Sequence, residues 1–294
     1  MLVGNMTSKN TVLSLIEQNP VTVKLASPLA VRLYPDCRPC CLETSILQKG
    51  LVLLLNGEEV VEEGVGFGLP IVKYADKTFF SSKAEISMQR IGDRFRLTKT
   101  FVLDTVSVKK LGNNVRIHDR LYSPLRKTFQ LLYLKHKRLN PLFNAVMETR
   151  NLFGVKTEFE TVNPRGTVTV TYDCHPNQIK IHADLSNIKL TNCQQILMLN
   201  EQGSNIFQTY TDNTRTLLRG DRIGAWDRVE TDAAALLSSQ STFGFSVFQV
   251  RGALLYRGWE NTRGRFSWAG LSYSLKPGKT AFDYTIELLC SNKQ

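Results

Sequence analysis

The sequence has no apolar run long enough to cross a membrane as a helix. Its longest strongly apolar stretch is LVLLL at residues 51–55, against the roughly 20 residues a spanning helix needs. Nor does it open with the basic region, apolar block and small-residue cleavage site of a secretory leader, so a soluble, cytoplasmic protein is expected. Histidine is scarce, with four in 294 residues, and no three-ligand metal set stands at a recognisable spacing. The Gly-x-Ser-x-Gly elbow, His-Glu-x-x-His and the Rossmann fingerprint are absent, which removes those hydrolase, metalloprotease and dinucleotide readings. No cofactor is expected. No alternation of strands with helices occurs either, which argues against a parallel α/β sheet. Internal repeats, low-complexity tracts and linkers are not evident, and one continuous domain over residues 1–294 is the expectation.

What is present suffices for a large core: 42% of the residues are hydrophobic, too many for a disordered chain. Six cysteines are dispersed along the sequence, and without a leader reduced thiols are expected rather than a disulfide framework. Cys37-Arg-Pro-Cys40-Cys41 has the spacing of zinc and redox sites. A zinc site would need a second pair, and Cys174-His175 is the one offered, far away in sequence; ordinary thiols near a turn are the plainer reading. The net charge of +11 is regional. From Lys109 to Arg138 there are nine Lys/Arg against one acid, Asp119, a concentration able to attract phosphate, nucleic acid, an acidic protein or a membrane surface.

Secondary structure follows from periodicity. Residues 11–18 suggest a short helix stopped by Pro20. From Val21 onward apolar residues alternate with polar ones, over 21–25, 29–34, 84–88 and 94–103, as half-buried strands require. Gly112-Asn-Asn114 reads as a hairpin turn between 105–110 and 115–122. Residues 125–139 place Leu125, Phe129, Leu132 and Leu139 near helical spacing, and Pro141 suits the first turn of a second helix. A short helical insertion near 125–150 is therefore expected. Strands resume at 156–162, 167–173, 178–185, 194–200, 206–211, 242–251, 253–259, 265–275 and 281–289. The turns between them are too short for a parallel crossover, so neighbours in sequence should run antiparallel. The fold class is mainly β, a large antiparallel sandwich or supersandwich.

The organising stretch is residues 51–82. Asn56-Gly57 between two extended runs signals a tight hairpin, because both residues tolerate positive φ. Gly64, Gly66 and Gly68 then interrupt the returning strand around Phe67, as a bulge at a sheet corner or as backbone that approaches a ligand with Phe67 as its platform. Glu58, Glu59, Glu62 and Glu63 precede them. Glu58 and Glu62 would share a strand face about 13 Å apart at 3.3 Å per residue, wider than the roughly 5–9.5 Å of glycosidase carboxyl pairs. A catalytic partner for Glu62 or Glu63 must come from another strand. The plainer reading is a charged edge strand that resists sheet-to-sheet pairing.

The tryptophans fall late, as Trp226-Asp227, Trp259-Glu260-Asn261 and Trp268. An indole beside a carboxylate and an amide suits a sugar, the ring stacking on its apolar face while polar groups take the hydroxyls; packing in the core is the competing role, above all for Trp268. His118 could serve as an acid-base group, although alternation points Asp119 to the other face. His182 alternates away from the apolar side of its strand.

The many long antiparallel strands, and the run Trp268-Ala-Gly-Leu-Ser-Tyr-Ser-Leu-Lys-Pro-Gly-Lys279 leading into a closing strand, resemble the galactose-mutarotase type of supersandwich. In that group a Leu-x-Pro-Gly turn often introduces the final strand. The resemblance covers about residues 21–289 and implies the fold and a carbohydrate leaning. The family's catalytic His and Glu match no motif here, with His118 and His182 merely in range. Two functions follow as expectations. In one, a carbohydrate is bound or processed in an acidic-aromatic cleft. Glu62, Glu63, His118 and Asp227 would be its acid-base groups, and Phe67, Trp226, Trp259, Glu260 and Asn261 its ligand contacts. In the other, a non-enzymatic module docks an anionic partner through residues 109–138.

Overall fold

The computed structural model describes residues 15–38, 47–60, 64–92, 94–110, 156–202, 206–214, 216–218, 227–238, 243–262 and 266–290. Strands are the regular structure throughout this set, and no helix in it is long and apolar enough to cross a membrane. The expected helical insertion near 125–150, the Gly112 hairpin turn and most of the basic stretch lie outside the described residues.

A small sheet forms first in the chain. Strands β2 (Val21–Lys24), β3 (Leu29–Leu33), β4 (Val52–Leu55) and β5 (Glu58–Glu59) pair antiparallel in sequence order. The Asn56-Gly57 turn joins the last two as expected, with φ of 54° and 87°. Before them, β1 (Leu15–Glu17) is extended and pairs with Ile86, Ser87 and Met88, so these residues do not form the short helix expected for 11–18. Hydrogen bonding along an open strand edge outweighs the weak helical preference of so short a segment.

The large sheet starts with β6 (Gly66–Tyr74), β7 (Thr78–Ile91) and β8 (Arg94–Lys110). It continues with β9 (Lys156–Thr161), β10 (Thr167–His175), β11 (Gln178–Asp184), β12 (Cys193–Gln202) and β13 (Phe207–Asp212). Next come β14 (Thr216–Leu218), β15 (Asp227–Arg228), β16 (Ala233–Ser238) and β17 (Phe243–Phe248). The last are β18 (Ala253–Thr262), β19 (Phe266–Leu275) and β20 (Ala281–Cys290). Their order is β14-β13-β16-β17-β20-β11-β10-β8-β7-β6-β12-β19-β18-β15, with β1 on β7 and β9 on β8.

This long sheet folds back on itself. Phe67 of β6 meets Phe245 of β17 edge-on at 5.1 Å, and Tyr273 of β19 stacks near Tyr284 of β20 at 4.8 Å. The β6-β12-β19 side thus faces the β17-β20-β11-β10 side across a shared apolar layer, the large antiparallel β-sandwich expected from the sequence. Inward residues alternate as a half-buried strand demands: Val168, Val170 and Tyr172 on β10, and Ile179, Ile181 and Ala183 on β11, are all buried. The same apolar cluster takes in Val21, Leu33 and Leu53 from the small sheet.

Antiparallel pairing of sequence neighbours holds at the turn from His175 to Gln178 and fails at four other short turns. β9 and β10 do not face each other across Asn163-Pro-Arg-Gly166; both pair antiparallel with β8, one after the other along the same edge. The connections β12–β13, β17–β18 and β19–β20 likewise join strands that are not paired. Each crosses from one side of the sandwich to the other, so a short polar turn ending one strand becomes a corner between sheets.

Candidate functional site

Asn200 and Glu201 end an alternating strand, and the structure turns them to opposite faces. A register shift against β6 falls between Leu199 and Asn200. Asn200 looks inward: its Oδ1 accepts from Gly68 N at 3.0 Å and from the Tyr284 hydroxyl at 2.9 Å, and its Nδ2 donates to Leu271 O at 3.0 Å. Glu201 belongs to the outer face, yet it is only 5% exposed.

Among the described residues, the cross-strand neighbours of Glu201 are glycines. Its cross-strand partner on β6 is Gly66, its partner on β19 is Gly270, and the partner of Gly270 on β18 is Gly258. Residues directly opposite one another share a face, so one carboxylate stands in a four-strand row otherwise made of glycine. At Gly66 glycine is required, because φ is +80° and a Cβ would lie 2.9 Å from Leu51 O. Next to this row the outer face carries short polar groups. The Ser272 hydroxyl accepts from Asn200 N at 3.3 Å, and Gln195 Nε2 donates to the Ser274 hydroxyl at 2.6 Å. Both serines are buried. On the far side of the glycine row, Glu260 stands opposite Trp268, and Trp259 opposite Ala269. Strand spacing near 4.8 Å and a rise near 3.3 Å put the Cα atoms of Glu201 and Glu260 roughly 12 Å apart.

Of the residues singled out from sequence, Trp259, Glu260 and Asn261 lie together on β18, and Asp227 lies on the neighbouring β15, paired with Arg257. The structure therefore brings Asp227, Trp259 and Trp268, one from each tryptophan-containing stretch, onto the neighbouring strands β15, β18 and β19. Asp227 is engaged in an ion pair: its Oδ2 accepts from Arg257 Nη2 at 2.7 Å, with the two side chains 17% and 8% exposed. That guanidinium also lies 4.6 Å from the centre of the Tyr210 ring, whose hydroxyl donates to Asp212 at 2.6 Å. Phe67 is fully buried against Phe245, so its ring is part of the core and offers no platform at the surface. Its glycine neighbours form the bulged corner, with Gly66 and Gly68 at φ of 80° and 74°. Glu62, Glu63, His118 and Trp226 lie outside the described residues. His182 is half exposed, and its Nδ1 sits 2.7 Å from Asp283.

Sequence reasoning missed Glu201, which it assigned to a turn, and Arg257, which it passed over inside a strand. The glycines at 258 and 270 were the available signal, since a strand interior spends glycine where something approaches closely. Among the described residues no group of three or more His, Cys, Asp and Glu stands close enough to hold a metal ion. Cys37 is a free, partly buried thiol that donates to Ser82 O at 3.0 Å; Cys40 and Cys41 lie outside the described set.

No family model matches the chain, and no curated protein matches it. Among solved structures it is similar to an α-N-acetylgalactosaminidase from Bifidobacterium bifidum in complex with GalNAc, with a TM-score of 0.49 and 6% identity over 92% of this chain. The match spans 36% of that enzyme's length. It is similar also to the Slr1438 protein from Synechocystis sp. PCC 6803, with a TM-score of 0.39 and 9% identity over 99% of this chain and 100% of that one. A protein assigned as an aldose 1-epimerase from Escherichia coli K12 has a TM-score of 0.37 and 6% identity, over 92% and 98% of the two chains. These likenesses concern the arrangement of strands alone.

Proposed function

We propose that the chain binds a carbohydrate on the outer face of β12, β19 and β18. The observation that carries this reading is the glycine row around Glu201: a carboxylate whose cross-strand row on three other strands consists of glycines. A carboxylate accepts hydrogen bonds from vicinal hydroxyls, and glycine lets a ring lie close to the peptide planes. Ser272, Ser274 and Gln195 supply short groups that both donate and accept along the same face. Glu260 and Trp268 stand opposite one another two residues along on the same face, and an indole next to a carboxylate is suited to the apolar and polar sides of a sugar. Glu201 and Glu260 are the two carboxylates this site assigns to hydroxyl recognition.

Ligand-observed NMR titration of the whole chain with a panel of neutral mono- and oligosaccharides tests the reading. Saturable binding is expected for the native chain, weakened about tenfold or more in Glu201→Gln, since a charge-assisted bond is exchanged for a neutral one. Unchanged far-UV circular dichroism shows that the variant is folded; should it fail to fold, Glu260→Gln replaces it in the same titration. Absence of saturable binding to every sugar overturns the proposal. So does equal binding by native and substituted chains.

A further inference from the structure

Gln48 is 3% exposed, and its carbonyl oxygen Oε1 is buried without a hydrogen-bond partner. The orientation of its amide is fixed from the other end. Nε2 donates to Pro35 O at 3.2 Å and to Ser82 O at 3.4 Å, and lies 3.4 Å from Cys37 Sγ. Both carbonyls can only accept, so rotating the amide would set oxygen against oxygen. A buried acceptor left in this state carries the full desolvation penalty of its carbonyl.

The complementary need lies in the same cluster. Lys99 projects inward from β8 between Leu97 and Phe101 and is fully buried. Its Nζ donates to Tyr34 O at 2.7 Å and Lys49 O at 2.8 Å, which uses two of the three N–H groups of an ammonium. The amide of Gln48 and the amine of Lys99 are held by adjoining peptide units: one bonds Pro35 and the other Tyr34, and the second carbonyl bonded by Lys99 is that of the residue following Gln48.

We infer that an enclosed water molecule bridges these two groups, donating to Gln48 Oε1 and accepting from the third N–H of Lys99 in its protonated form. The chemistry leaves little choice of ligand. A cation would be repelled by the ammonium and an anion by the carbonyl oxygen, whereas water is neutral, small, and both donor and acceptor. The water completes a link between the β3–β4 connection, through Tyr34, Pro35, Gln48 and Lys49, and the strand that carries Lys99.

A crystal structure of the full chain at a resolution that resolves ordered solvent tests this directly. An isolated solvent peak within hydrogen-bond distance of both Gln48 Oε1 and Lys99 Nζ is expected. Oε1 bonded to a protein donor, with no peak between the groups, overturns the proposal. In solution, the Lys99 side-chain nitrogen is followed by NMR across a pH titration in the native chain and in Gln48→Glu, which places a carboxylate at the water's acceptor. The added carboxylate raises the titration midpoint in the variant if Gln48 and Lys99 stand as close as the bridge requires. An unchanged midpoint in a folded variant refutes the bridge.

Discussion

The Tyr284 hydroxyl donates to the amide oxygen of Asn200 at 2.9 Å, a bond that runs from β20 to β12 across the inside of the sandwich. The same oxygen accepts from Gly68 N, so one side chain satisfies a glycine-rich bulge on its own sheet and a phenol from the opposite one. Buried polar groups of this kind are costly when half satisfied. Asn200→Ala removes partners from Gly68, Tyr284 and Leu271 together and is expected to destabilise the fold by about 3 kcal/mol or more, whereas Tyr284→Phe costs about 1 kcal/mol. Urea denaturation of the two single variants and of the double variant measures both. Because they share the bond, the double variant should lose less than the sum.

Burial lowers the Lys99 amine from 10.5 to about 7, against the opposing pull of Cys37 and Asp36. Between pH 7 and the unfolded value the unfolded chain therefore holds a proton that the folded chain has released, and stability rises with pH. Below pH 7 both states are protonated and the full penalty of burying the charge is felt. The rise should be read between about pH 7 and 9, before thiols such as Cys37, which burial pushes up from 9.0, begin to titrate. Its slope is at most about 1.4 kcal/mol per pH unit. Lys99→Met should flatten it in denaturation curves across that window.

Two Arg–Asp pairs give opposite expectations. Arg257 is buried and Asp227 partly buried, 2.7 Å apart, so Arg257→Ala removes the guanidinium from a shielded ion pair and should cost about 3 kcal/mol. Arg96 and Asp173 form a two-pronged pair at 2.6 and 3.0 Å but are 42% and 35% exposed. The Arg96 guanidinium holds the Asp173 carboxyl below its usual range, yet solvent screening limits Arg96→Ala to about 0–1 kcal/mol. Chemical denaturation of both variants checks the ratio, which inverts if the surface pair dominates.

Glycine substitutions separate conformation from crowding. Gly57 has φ +87° with nothing near a would-be Cβ, so Gly57→Ala should cost only the backbone strain of about 1–2 kcal/mol. Gly68 has φ +74° and a Cβ there would lie 3.0 Å from the Tyr172 ring and hydroxyl. That hydroxyl bonds Phe67 O at 3.1 Å, so Gly68→Ala should lower the thermal midpoint more than Gly57→Ala does. Equal shifts would mean that the Tyr172 ring moves aside freely.

The sequence by itself determined local structure. Alternation marked half-buried strands over 21–25 and 29–34, and Asn56-Gly57 set a hairpin, because strand period and turn dihedrals are properties of a few consecutive residues. Tertiary structure decided which strands meet. A turn such as Lys276-Pro-Gly-Lys279 has the same residues whether it closes a hairpin or a corner between sheets, and only the packing of Tyr273 against Phe282 and Tyr284 selects the corner. The outer face was hidden for the same reason. Glu201, Gly66, Gly270 and Gly258 come from four separated stretches, and their common row exists only once the register of β6, β12, β19 and β18 is set. Lys99 was equally illegible, since an alternating strand can put a lysine inward only where backbone carbonyls from elsewhere, here Tyr34 and Lys49, are waiting to receive it.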